Sequence, residues 1–270
     1  LELLNKASVN GLRPCYLAVD KKNEYLVTAG YHDGKMTILR INKDGSVGEV
    51  TDEVFMKGLG SDAGRHYLCH VNCALFSPDE RFVFSVDIGM DQVKIYEFDH
   101  KTGKIKLQGI LRCELGSGPK HMLFSNDGKY AYLTFENSNV VNQYAYDAEN
   151  GKFTELQSVS TLPEKWNGYS NAVTLKLTPD DKYLFVSNSG NNSVAIYEID
   201  EKTKEMTCIC ILPYPKDILL SPDGKSFLCV NQESDCMTRF DVYYKKGYFT
   251  MNYKPIKLYS PTSVKLKKVL

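Results

Sequence analysis

The sequence has no net charge to offer a partner. Its 33 Lys and Arg residues balance 33 Asp and Glu, with the two signs interspersed along the chain. That pattern argues against nucleic acid or a membrane surface as a partner. No apolar run approaches the ~18 residues that a membrane helix needs. The opening "LELLNKASVNG" has no cationic head followed by an apolar block, so it does not read as a secretory leader. The chain begins with Leu1 rather than Met, as a fragment or a processed chain would. No CxxC pair occurs among the eight cysteines, at positions 15, 69, 73, 113, 208, 210, 229 and 236. Most of them lie inside apolar runs such as "FLCVN" and "TCICIL". They read as reduced, mostly buried thiols of a cytoplasmic protein. No four-ligand spacing suggests zinc, and no metal or cofactor is expected. Nothing reads as a long amphipathic helix.

What the sequence does have is a repeat. "PCYLAVDKKNEYLVTAGYHDGKMTILRIN" from Pro14 is followed by "HVNCALFSPDERFVFSVDIGMDQVKIYEFD" from His70 and "GPKHMLFSNDGKYAYLTFENSNVVNQYAYD" from Gly118. Then come "NAVTLKLTPDDKYLFVSNSGNNSVAIYEID" from Asn171 and "YPKDILLSPDGKSFLCVNQESDCMTRFDV" from Tyr214. Aligned on the turn aspartates Asp20, Asp79, Asp127, Asp180 and Asp223, the units are 59, 48, 53 and 43 residues apart. Each unit runs from an apolar strand into an Asp/Gly turn, a second strand rich in Tyr, Phe and Val, a polar loop, and an alternating third strand such as "SVAIYEID". "KLQGILRCE" and "FTELQSVSTL" supply a fourth, outer strand. This is the pattern of an all-β propeller of four-stranded blades. A β-sandwich would not require such similar units.

The expected organisation is one propeller domain, residues 1–270. Residues 1–13 read as the outer strand of a truncated blade, 14–260 as five blades, and 261–270 as the inner strand of a closing blade. A ring of seven would need about 60–80 further residues upstream at a repeat of about 40–50.

In a propeller, the loop entering each inner strand and the loop after each second strand open on one face. His70, Lys120, His121 and Lys216 enter inner strands. His32, Asp87, Asp91, Glu136, Asn188 and Asn231 follow second strands. One face therefore gathers imidazoles, amines and carboxylates from different blades. Asp87 and Asp91, in "DIGMD", read as turn-holding residues bonded to backbone. Trp166, in "TLPEKWNGYSN", reads as a lid, a substrate wall or packing. Taken singly, a histidine at a loop–strand joint is more often structural than catalytic, and a lone lysine is most often a solvated amine.

The repeats, the chain's ending and the runs "GSGPKH", "VDIGMDQVKIY", "STLPEKWNG" and "YLFVSNSGNNSVAIY" resemble the seven-bladed propeller lactonase family, over essentially the whole chain. That resemblance implies 6-phosphogluconolactonase activity in the oxidative pentose-phosphate route, with carboxymuconate cycloisomerase as a relative. It implies a small anionic lactone as substrate. Water attacking an ester carbonyl needs a general base, and the oxyanion and phosphate need donors. His70 matches the first His of the family's P-H-x-H run, as a base or donor. Lys120 and His121 match its G-P-R-H, for the substrate anion or the oxyanion. Glu136 matches an acidic position that serves as a base or orients one. Arg65 matches a basic position upstream of P-H-x-H, for phosphate. Lys216, His32 and Asn188 complete the expected set, with catalysis assigned to His70, His121 and Glu136 and substrate binding to the rest.

The sequence departs from the family at several of these positions. Asn72 stands for the second His of P-H-x-H. Lys120 replaces an Arg and loses its bidentate fork. Ser189 replaces the Arg of N-R-G, Lys216 the Arg of a P-R pair, and Thr174 an acidic residue. The alternatives are therefore a catalytically weak propeller that binds a metabolite or a protein, or a lactonising isomerase on the same scaffold.

Overall fold

The computed structural model describes residues 2–60, 68–213, 217–231, 235–244, 248–251 and 254–265. The described residues contain no α-helix, and no helix long and apolar enough to cross a membrane. They form five antiparallel sheets, each built from strands consecutive in sequence. The first holds β1 (Tyr16–Val19), β2 (Tyr25–Gly30), β3 (Lys35–Ile41) and β4 (Val47–Phe55). The second holds β5 (Val71–Phe76), β6 (Phe82–Asp87), β7 (Gln92–Asp99) and β8 (Lys104–Arg112). The third holds β9 (Pro119–Phe124), β10 (Tyr130–Phe135), β11 (Val140–Asp147) and β12 (Lys152–Ser160). The fourth holds β13 (Asn171–Leu177), β14 (Tyr183–Ser189), β15 (Ser193–Ile199) and β16 (Met206–Pro213). In the fifth, β17 (Asp217–Leu220), β18 (Ser226–Asn231) and β19 (Cys236–Tyr243) are followed by β20 (Tyr248–Met251) and β21 (Ile256–Lys257), which pair with successive stretches of β19. The five sheets fall between Tyr16 and Lys257.

The chain divides into two compact units, Leu1–Leu133 with Tyr144–Glu155, and Thr134–Gln143 with Leu156–Leu270. The first is centred on Tyr25, Val27, Ile38, Val71, Val83 and Phe98. The second is centred on Phe185, Val194, Ile196, Ile218 and Phe227. Each such side chain contributes about 1.5–3 kcal/mol on burial. Burial follows position in the blade. Middle strand β6 is buried throughout, whereas outer strands β8 and β12 share one alternating, mostly exposed pattern. Their Lys, Gln and Glu residues disfavour edge-to-edge pairing.

Two turn positions repeat in all five blades. Before the second strand, Asn23, Glu80, Gly128, Asp181 and Gly224 take positive φ, between 55° and 70°. Before the third strand, Gly34, Asp91, Asn139, Asn192 and Asp235 do so, between 47° and 57°. Gly, Asn and Asp tolerate this left-handed region; Glu80 is the exception.

These positions correct the sequence alignment of the first unit. In the other four blades a hydroxyl caps the turn. Ser77, Ser125, Thr178 and Ser221 each donate to the aspartate two residues on, at 2.6 Å. Each also accepts the N–H five residues on, at 3.0 Å. In the first blade Asp20 accepts the equivalent N–H, from Tyr25, at 2.9 Å. Asp20 therefore corresponds to Ser77, not to Asp79, because its carboxylate replaces the capping hydroxyl.

Residues 2–13, read from sequence as an outer strand, form none. No strand among the described residues pairs with them, and a strand without a partner leaves its backbone unsatisfied. Side chains hold this segment instead. The buried Lys35 ammonium donates to the carbonyls of Val9 (2.7 Å) and Asn10 (3.3 Å), and Asp33 accepts the N–H of Leu12 at 2.9 Å. At the other end, residues 261–265 form no strand, although Val264 N donates to Asp217 at 3.1 Å; residues 266–270 lie outside the described set.

Candidate active site

Strands β1, β5 and β9 belong to one unit and are the first strands of successive blades. Their leading ends bring together residues far apart in sequence. The Cys15 thiol reaches the carbonyls of Val71 (3.4 Å) and Asn72 (3.6 Å). Tyr16 OH and His121 Nε2 share a 3.3 Å hydrogen bond, with the rings edge-to-face at 5.5 Å. The nearby Cys73 thiol, and then burial, push the Tyr16 phenol well above its ordinary range, so it stays protonated. Lys120 is near enough to Cys15 to favour its thiolate, but burial outweighs this and raises the thiol. Although the residue as a whole is exposed, the Cys15 thiol is thus held in its protonated form.

His70 precedes β5. Its ring stacks on Tyr31, with centroids 4.3 Å apart and planes within 9°. Its Nδ1 lies 2.8 Å from the Tyr31 carbonyl oxygen. A carbonyl only accepts, so Nδ1 carries the proton and Nε2 is the basic nitrogen of the neutral ring. The His70 N–H is held at 2.9 Å by Asp87, which also accepts from Gly89 and Met90. Burial lifts the Asp87 carboxyl above the ordinary carboxylate range. His32 is exposed and meets Tyr31 edge-on at 5.1 Å.

Asp91 does for the next loop what Asp87 does for His70. Its two carboxylate oxygens accept the N–H groups of Gly116 (2.8 Å) and Gly118 (2.9 Å). This clamp fixes the "GSG" turn that delivers Lys120 and His121 onto β9. Both aspartates are turn-holding residues, as read from sequence, and each holds the backbone leading to a candidate histidine.

The second unit contains Glu136 and Asn188. Glu136 is buried directly after β10, and its carbonyl accepts from Ala172 N at 3.3 Å. Asn188 is fully buried and its amide is committed. It accepts from the Thr161 hydroxyl at 2.7 Å, and donates to the Thr161 carbonyl (2.7 Å) and to Ser193 (3.1 Å). Asn188 is therefore a joint between strand ends, and these bonds leave it unsuited to grip a substrate. Arg65 and Lys216 lie outside the described residues.

Sequence reasoning missed Tyr16, Tyr31 and the positive value of Asn72. Tyr16 occupies the repeat position of His121, two residues after the shared proline, and that register was the available signal. Asn72 had registered only as a lost histidine. In the structure its Nδ2 is a buried donor with no hydrogen-bond partner. A buried, unpaired N–H is costly unless something outside the chain uses it.

The profile of the family described as "Lactonase, 7-bladed beta-propeller" matches residues 1–266. The 6-phosphogluconolactonase of Bacillus subtilis is 29% identical over 269 residues, covering 98% of this chain and 76% of that protein. The 6-phosphogluconolactonase of Formosa agariphila is 26% identical, covering 89% and 70%. Among solved structures, the periplasmic gluconolactonase PpgL of Pseudomonas aeruginosa superposes with a TM-score of 0.85 at 27% identity, covering 93% of this chain and 72% of that one.

Proposed function

The chain belongs to the seven-bladed β-propeller lactonase family, and on that footing we propose that it hydrolyses a sugar lactone, 6-phosphogluconolactone first among them. The observation that carries the reading is the orientation of His70. With Nδ1–H given to the Tyr31 carbonyl, Nε2 is the ring nitrogen that takes a proton from water. The hydroxide attacks the lactone carbonyl, and the ring C–O bond breaks as its oxygen is reprotonated. Asn72 Nδ2, Lys120 and His121 supply donors for the oxyanion. Tyr16, bonded to His121, positions that imidazole. Glu136 is assigned to proton handling, and Arg65 and Lys216 to the substrate's phosphate. Two relatives named 6-phosphogluconolactonase support the substrate class. The same reading puts the protein in the cytoplasm and in the oxidative pentose-phosphate route.

A second reading has a specific observation behind it. Asn188 is consumed by structure and the adjoining family arginine is Ser189, so the anion-binding side is depleted. Such a protein would bind a sugar acid and turn over little.

The assay is hydrolysis of freshly generated 6-phosphogluconolactone, measured against its spontaneous rate. The expected outcome is a clear acceleration that falls by about 10²–10⁴ in His70→Ala, as for loss of a general base. Lys120→Ala should raise KM as well as lower kcat. A folded protein with no rate above background would refute the hydrolase reading. Binding of 6-phosphogluconate without turnover would establish the second.

A further inference from the structure

Away from the histidines described above, the same unit departs from its own repeat at three points that meet. Asp20 stands where four other blades have Ser or Thr. Glu80 stands at the left-handed turn position held elsewhere by Asn, Gly or Asp, at φ 60°. His100 follows β7, where the third blade has Ala148 and the fourth Glu201. Sequence spacing concealed the trio, because its members lie 60 and 20 residues apart on different turns. In the fold, one ligand atom from each lies within 4.8 Å of the other two.

Each side chain is oriented by one atom and leaves another available. Asp20 is 3% exposed; its Oδ1 accepts from Glu24 N (2.7 Å) and Tyr25 N (2.9 Å), while Oδ2 is buried without a partner. His100 Nε2 lies 2.8 Å from the carbonyl oxygen of Glu80, so Nε2 carries the proton. Its Nδ1 lone pair is buried and also without a partner. An imidazole that gives one N–H to a backbone carbonyl and keeps its other nitrogen buried beside two carboxylate residues has the hydrogen bonding of a metal-ligating histidine. Glu80 takes the Lys21 N–H at one carboxylate oxygen. Among the described residues no ion pair joins a cationic side chain to Asp20 or Glu80, and the Lys21 ammonium donates to the Pro78 carbonyl. Of the three, Glu80 also borders an open cleft of about 360 Å³, lined with it by Lys21 and Pro78.

We propose that Asp20, Glu80 and His100 bind a divalent transition-metal ion of the zinc or manganese type, which ties the first blade's turn to the second blade. Two carboxylates and one imidazole suit such ions, whereas calcium and magnesium take oxygen ligands. Ligand atoms around zinc lie about 3.2–3.6 Å apart, so the trio closes by at most about 1.5 Å on binding. The role is structural. The metal-binding residues are separate from those assigned to lactone hydrolysis.

The chain's own repeat supplies test variants that should fold. Asp20→Ser restores the capping hydroxyl of the other blades, Glu80→Gly restores a residue suited to φ 60°, and His100→Ala restores the third blade's residue. Metal-stripped protein is titrated with Zn²⁺, Mn²⁺, Ca²⁺ and Mg²⁺, following the thermal midpoint and the bound ion per chain after desalting. The expected result is one transition ion per chain and a midpoint raised by about 5 °C at a hundredfold excess over Kd. All three variants should lose both effects, with Asp20→Ser and Glu80→Gly keeping metal-free midpoints close to that of the parent. Equal binding in His100→Ala, as thiol-bound zinc would give, overturns the proposal. So does a response to Ca²⁺ or Mg²⁺ as large as to Zn²⁺, or no response to any ion.

Discussion

Replacing Asp91 separates two contributions that one residue combines. Its carboxylate holds the N–H groups of Gly116 and Gly118, and its backbone sits at φ 50°. Hydrogen bonds to a charged group contribute about 1.5–3 kcal/mol each, so losing both costs about 3–6 kcal/mol. Alanine adds about 1–2 kcal/mol for adopting the left-handed region. Glycine loses the same bonds without that strain, offset in part by about 0.5–1 kcal/mol of extra unfolded-state freedom. Asparagine keeps the turn and one neutral acceptor. The expected order of stability is wild type, then Asp91→Asn, Asp91→Gly and Asp91→Ala, with the last two separated by less than either lies from wild type. Urea unfolding followed by far-UV circular dichroism measures this, provided the slope m is unchanged across the series. Because the clamp aims Lys120 and His121, lactonase kcat/KM should fall more than tenfold even in Asp91→Asn, as misplacement of about 1 Å costs ~10². An Asp91→Ala protein within 1 kcal/mol of wild type would refute the clamp, on the hydrogen-bond range above.

Asp87 gives a pH test. Burial raises its carboxyl in the fold, so the fold favours the protonated form. The resulting destabilisation is absent below the unfolded value, near 3.9, and grows as pH rises through the raised folded value. Asp87→Asn keeps an acceptor for His70, Gly89 and Met90, so its stability relative to wild type should rise between about pH 4 and neutrality. A difference that stays flat with pH would contradict this. Gly89 is a steric test: a Cβ there would lie 1.7 Å from the Leu68 carbonyl oxygen. Gly89→Ala must move backbone on the segment entering His70, and should lower both the thermal midpoint and kcat; unchanged values would refute the close approach of Gly89 to Leu68.

The blades were legible in the sequence because their signals are local. Turn residues at fixed offsets, two-residue alternation and a period near 50 all report on neighbouring residues. Register within the turn was less legible. Asp20 resembles a turn aspartate, and only the bond it accepts from Tyr25 shows that it replaces a serine. Residues 2–13 contain strand-like apolar residues, but a strand is defined by its partner, which periodicity does not report. At the candidate site, His70, Lys120 and His121 could be proposed from sequence because they sit at blade joints. Tyr16 and Tyr31 were not, because each acts through a contact with another blade or with a backbone carbonyl. Asn188 was misread for the opposite reason. Its position is that of a functional residue, but Thr161 and Ser193 already occupy its amide.

The hydroxyl–aspartate caps at Ser77, Ser125, Thr178 and Ser221 also bear on how the chain folds. Each closes a hairpin within five residues, and every blade pairs strands that are consecutive in sequence. Closing so short a loop takes well under a microsecond, and a hairpin forms in about 1–10 μs. Individual blades can therefore take shape as the chain leaves the ribosome, before distant parts have been synthesised. The slow events are left to the segments with no such punctuation, the N-terminal stretch held by Lys35 and Asp33, and the interrupted outer edge of the last blade.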